Sequence, residues 1–150
     1  MTPHQQALVA RLESSLGDLF KAVILASDKP QPENEWPIST IMIHLAIVEE
    51  VIWQARLKQM AVQDNPHRVW TEPDVNGAVA QYGELSLPEL EEWFGKQRFH
   101  TLRHLSGLDE AGWNRVGTHA TYGEMDVAGL CARILEHDNE HLEELRKRAT

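Results

Sequence analysis

Eight histidines stand in this chain of 150 residues, and their spacing carries more information than their number. His137 and His141 are four apart, and so are His100 and His104. On a helix, side chains four apart share a face with Cβ atoms about 5–6 Å from each other, close enough for two imidazoles to hold one ion. Both pairs fall on the flank of an apolar stripe, so periodicity does not separate them. His44 is placed differently, inside a strongly apolar stretch and on the same helical face as Val48, Val51 and Ala55. A buried imidazole either hydrogen-bonds to a core neighbour or serves as a further ligand, which would account for an otherwise costly polar group. The residues alone therefore allow a metal site built from His44 and one of the two pairs.

Such a site needs helices to position it. Leu8, Leu12, Leu16, Leu19 and Val23, with Phe20 and Ile24 beside them, recur at steps of three and four and predict a first helix over residues 3–27. A proline-rich break covers residues 28–37, and Pro37 suits the first turn of a second helix that continues to Met60. Its buried face is read as Ile41, Leu45, Val48, Ile52 and Ala55. Residues 63–83 contain Pro66, Pro73 and Gly77 and read mainly as loop, with some helix allowed. Ser86 and Glu89 have the spacing of a capping box, and Pro88 is tolerated in the first turn, so a third helix is expected from there to Ser106. A glycine-containing connection over residues 106–125 leads to a fourth helix capped by Asp126. Val127, Leu130, Cys131, Ile134, Leu142 and Leu145 form its apolar stripe. No strand-like alternation of useful length and no repeat emerges. The expected fold is all-α, a single-domain four-helix bundle over residues 1–150 with helices about 30–37 Å long and the metal site between helices 2 and 4.

Composition narrows the chemistry. Apolar residues make up 42% and charged residues 25%, the balance of a chain that folds around its own core. The net charge of −9, with basic residues scattered except at Arg146, Lys147 and Arg148, repels phosphate backbones, so no nucleic-acid partner is expected. Cys131 is the only cysteine, which excludes an internal disulfide and any multi-cysteine zinc site. No unbroken apolar run approaches a membrane span, and the first residues lack the features of a secretory signal; the expectation is a cytoplasmic protein without a membrane partner.

Three segments together resemble a known family. Trp36-Pro37-Ile38-Ser39-Thr40-Ile41-Met42-Ile43-His44-Leu45, then Trp113-Asn114-Arg115 with His119 and Gly123, then His137-Asp138-Asn139-Glu140-His141-Leu142 are similar to the DinB-like family of bacterial metalloproteins. The resemblance runs from about Trp36 to Leu145. It implies a four-helix bundle, often a homodimer, in which a histidine of the second helix and an H-x-x-x-H pair of the last bind a divalent metal. His44, His137 and His141 fall on those positions, which leaves His100 and His104 a solvated or boundary role. The family name refers to DNA damage induction and implies no DNA chemistry.

Around these ligands, Asp138 is read either as a carboxylate supporting a ligand histidine or as a boundary aspartate paired with an arginine. Arg115 and His119 belong to the loop before the last helix and are candidates for touching a substrate. Glu49 and Glu50 are read as a solvated face. Trp36, Trp53, Trp70, Trp93 and Trp113 are assigned to core and interface, and Cys131 to the core. Three imidazoles leave a coordination position open, the pattern of a catalytic site. Zinc is the first expectation, with nickel or iron as alternatives. The resemblance implies a metal-dependent enzyme, either a transferase that uses a low-molecular-weight thiol or a hydrolase, with the thiol route slightly favoured. The alternative is a non-catalytic, stress-related dimeric bundle whose ion pins two helices together.

Overall fold

The computed structural model describes residues 1–69 and 71–150, so the expectation for Trp70 lies outside the described residues. Helix α1 spans Pro3–Ala26 and begins with a reciprocal capping box between Thr2 and Gln5. The second long helix is assembled from α2 (Ile38–Val48), a π-helical segment (Glu49–Gln54) and α3 (Ala55–Val62). Helix α5 (Leu87–Ser106) starts at the Ser86–Glu89 capping box, and α7 (Val127–Arg148) starts at Asp126, whose side chain accepts the Gly129 N–H. These four form the bundle, with α1 packed on α7, α2 on α5 and α1 on α5; α2 and α7 make the slightest contact of the adjacent pairs.

Shorter elements join them. Helix α4 (Val75–Tyr82) lies in the connection expected to be mainly loop, and α6 (Glu110–Trp113) precedes the last hairpin. Among the described residues there is also a small sheet that the all-helical reading does not contain. Strands β1 (His67–Arg68), β2 (Val116–His119) and β3 (Gly123–Asp126) lie in the order β1-β2-β3, with β1 parallel and β3 antiparallel to β2. A two-residue strand shows no period and a four-residue strand only two repeats of it, and the β1–β2 pairing joins segments about fifty residues apart. Gly123 takes φ +78° at the hairpin, a conformation that favours glycine.

The π-helical segment changes which residues face inward. A π turn inserts an extra residue into the helical repeat and rotates everything beyond it relative to an α-helical register. Glu49, expected in solvent, is 1% exposed, and Val51, expected in the core, is 49% exposed. Glu50 remains exposed as expected. In α1 the stripe is narrower than its sequence indicated, since Ile24 is on the outside.

Two apolar clusters fill the bundle. One contains Leu8, Leu12, Trp53, Leu57, Leu105, Trp113 and Ile134; the other contains Leu19, Val23, Ile41, Leu45, Phe94, Leu142 and Leu145. Between the clusters stand polar residues, Ser15 on α1, Arg98 on α5 and Asp138 on α7, and Glu49 follows Val48, the first residue of its helix in the former cluster. The Ile38–Val62 helix has the length and apolarity of a membrane span, but much of its surface is buried within this core.

Packing should outweigh capping in the stability of this fold. Phe94 is fully buried, so Phe94→Ala is expected to lower unfolding free energy by about 3–5 kcal/mol, against about 1 kcal/mol for Ser86→Ala at the exposed helix start. Urea unfolding of the two variants measures both values, and equal losses would contradict the assignment.

Candidate metal centre

His44 comes from the middle of α2, and His137 and His141 from successive turns of α7. The rings meet across the side of the bundle where the two backbones touch least. One ligand atom from each residue lies within 4.8 Å of the others. His44 Nε2 and His137 Nε2 are 3.2 Å apart. Two nitrogens bonded to one tetrahedral zinc at about 2.0–2.1 Å stand about 3.3 Å from each other, so this spacing already matches one edge of a coordination polyhedron.

The protonation state matches as well. Burial lowers the pKa of His44 to about 4, helped by the charge of His141 and opposed by Glu72. Burial, followed by His141, His44 and Arg98, lowers His137 to about 3. Both rings are therefore neutral near pH 7, the form that ligates a metal. His141 Nδ1 lies 3.1 Å from Glu144 Oε2, an arrangement that places the ring proton on Nδ1 and leaves the Nε2 lone pair for an ion. Among the described residues His44 Nδ1 has no hydrogen-bond partner, and the ring's polar contact is the one between its Nε2 and His137 Nε2. Three imidazole donors this close together, with His44 and His137 neutral, fit a divalent cation.

Aromatic rings and a cavity complete the surroundings. The indole of Trp36 stands 5.2 Å from the His44 ring, and that of Trp53 stands 5.8 Å from His137. Arg148 donates to the Trp36 carbonyl and approaches Glu144, tying the end of α7 to the loop before α2. On the other side a cavity of about 300 Å³ has His137, Trp53, Arg56, His119, Tyr122 and Arg133 in its wall.

His119, on β2, thus shares a cavity with a triad member, as a loop residue near the site was expected to do. Its Nδ1 accepts the backbone N–H groups of Thr121 and Tyr122 at 2.9 and 3.2 Å, which places the ring proton on Nε2. Burial and the charges of Arg56 and Arg133 lower its pKa.

Arg115 does not overhang the site. It donates to the carbonyls of Met60 and Gln63 and pairs with Asp64, fastening the segment before β2 to the end of α3. Asp138 does not support a ligand ring either; its carboxylate takes two bonds from Arg98 and one from the Ser15 hydroxyl. Glu144 is the carboxylate on a triad histidine, and its place three residues after His141 was the signal for it. His100 and His104 line a separate outer groove with Glu50, Gln54 and Lys58. Cys131 is buried, and burial pushes its thiol pKa up to about 12, so it is an inert core residue.

A sequence model described as the DinB superfamily matches residues 6–145. The chain belongs to the DinB superfamily. No match is found among curated proteins. Among solved structures, this DinB chain is similar to YfiT from Bacillus subtilis, described as a probable metal-dependent hydrolase with an unusual four-helix bundle topology. That likeness has a TM-score of 0.65 at 19% identity and covers 99% of this chain and 89% of the other. At that identity it establishes the shared bundle fold.

The lowered pKa values fix the sign of a pH dependence. Unfolding releases His44 and His137 to the ordinary value of 6.5, so below that pH the unfolded chain binds more protons than the native one. Stability of the metal-free protein should be full above pH 6.5 and fall as the pH drops toward 4. Thermal unfolding between pH 7 and 4 should show that decline, and His44→Gln should make it shallower; identical slopes would contradict the buried neutral state.

Proposed function

We propose that this chain is a metal-dependent hydrolase whose divalent ion, zinc in the first instance, is held by His44, His137 and His141. The observation that carries this reading is the convergence of three imidazole ligand atoms within 4.8 Å, with His137 also in the wall of a cavity. When bound by three imidazoles, such an ion offers an open position that brings the pKa of water down to near neutrality and polarises a carbonyl or phosphoryl oxygen.

The chain's own residues define the remaining chemistry. Trp36 closes the His44 side of the triad, which leaves the His137 side for a substrate to approach. Trp53, Ile52, Met125 and Leu130 give the cavity an apolar surface for a small organic substrate. His119 stands in the same cavity wall as His137, its ring orientation fixed by the Thr121 and Tyr122 N–H groups. Glu144 keeps the His141 tautomer that ligation requires.

Hydrolysis is favoured over thiol-dependent transfer because it needs no second substrate. The single internal thiol, Cys131, is buried and protonated, so a transfer reaction would depend wholly on an external thiol. The YfiT description supports the same direction.

The test is turnover by zinc-reconstituted protein on a panel of activated esters, amides and phosphoesters, with and without a low-molecular-weight thiol. Hydrolysis without thiol is expected, abolished by chelator and by His44→Ala. Turnover that requires the thiol would replace this reading with group transfer. Stoichiometric zinc without turnover in either arm would leave the ion as a pin between helices.

A further inference from the structure

The polar layer between the two apolar clusters is organised by one side chain. Arg98 is fully buried and uses both edges of its guanidinium. Nε and Nη2 donate to the two carboxylate oxygens of Glu49, each at 3.0 Å. Nη1 and Nη2 donate to the two oxygens of Asp138, each at 2.9 Å, and Nη1 also donates to the Leu12 carbonyl at 2.8 Å. Around it, the Thr101 hydroxyl donates to Glu49 at 2.7 Å and the Ser15 hydroxyl to Asp138 at 2.7 Å. One guanidinium on α5 therefore binds α1, the helix carrying His44 and the helix carrying His137.

The two carboxylates are near the triad in sequence. Asp138 follows His137 directly, and Glu49 lies five residues after His44, brought inward where the helix becomes π-helical. The helices that supply the ligands pack little against each other, so their separation must be set by something that grips both. Arg98 grips both, at the residue next to His137 and at one five residues past His44.

We propose that Arg98, acting through Glu49 and Asp138, is the positioning residue that sets the distance between His44 and the α7 histidines. The claim rests on reading the triad as a metal site, yet it concerns geometry that exists before an ion arrives. A lysine at position 98 retains the charge but makes no planar fork, so it cannot bind two carboxylates in two-point contacts. General loss of stability is a different effect, and a core truncation away from the layer, such as Leu105→Ala, provides it without touching the clamp.

The experiment measures zinc affinity by competition with a chromophoric chelator for the wild type, Arg98→Lys and Leu105→Ala, each verified as folded by circular dichroism. It also measures the nuclear Overhauser contact between the His44 and His137 rings in the metal-free proteins. Zinc affinity is expected to fall about 10–100-fold in Arg98→Lys, as it does when groups supporting metal ligands are lost, while Leu105→Ala stays near the wild type despite its lower melting temperature. The ring contact should disappear in Arg98→Lys alone. Equal affinity losses in the two variants, or an Arg98→Lys protein that keeps both the affinity and the ring contact, would overturn the proposal. Should the wild type itself bind no zinc, the hydrolase reading fails, and the ring contact alone decides the role of Arg98. Should Arg98→Lys not fold, Thr101→Val, which removes only the hydroxyl on Glu49, takes its place with a smaller loss of affinity in the same direction and an unchanged Leu105→Ala control.

Discussion

A buried guanidinium held between two buried carboxylates is the constraint on which this structure turns. Burial by itself would lower the pKa of Arg98, but Glu49 and Asp138 raise it above the ordinary arginine value, so the charge is retained within the core. Removing one partner from such a group leaves an uncompensated buried charge, which is destabilising by about 3–5 kcal/mol, even where the intact cluster contributes little net stability. Its value lies in specificity. Apolar side chains above and below the layer can slide along the helix axes at modest cost, whereas two fork-shaped contacts, a backbone carbonyl and two hydroxyls fit only one register.

That register creates the site. With α1 packed against α7 and α5, and α2 against α5, the bundle is tightly joined on three sides and open on the fourth, between α2 and α7. Imidazoles from both helices meet in this gap, and the cavity opens beside them. Burial keeps His44 and His137 neutral, so three lone-pair donors are available without first displacing protons from those two rings. The same burial makes the metal-free site costly, because polar rings sit close together with little solvation. Such a site gains more from binding a cation than an exposed histidine cluster would.

Much of this was legible in the sequence, and what was not has physical causes. The capping box at Ser86, the cap at Asp126 and the helical stripes placed the bundle because they depend on residues within one turn of each other. The DinB resemblance selected His137 and His141 over His100 and His104, which the stripe pattern alone left equivalent. The inward turn of Glu49 was hidden because a π-helical segment breaks the periodicity on which facing is judged. Arg98 was hidden because its meaning comes from partners 49 and 40 residues away. Asp138 was read either as support for a ligand histidine or as a boundary aspartate paired with an arginine; its partner is an arginine, Arg98, but it is buried and not at a boundary. Arg115 looked functional from its loop, whereas its contacts join that loop to α3. The strands were missed for want of length.

Everything proposed for the site requires that these three imidazoles bind one ion together. X-ray absorption spectroscopy of the zinc-loaded protein at one equivalent tests this most directly. Three nitrogen scatterers with the imidazole multiple-scattering pattern at about 2.0–2.1 Å, reduced to two in His141→Ala, are the predicted result. A first shell dominated by water oxygens, or one unchanged by that substitution, would contradict it.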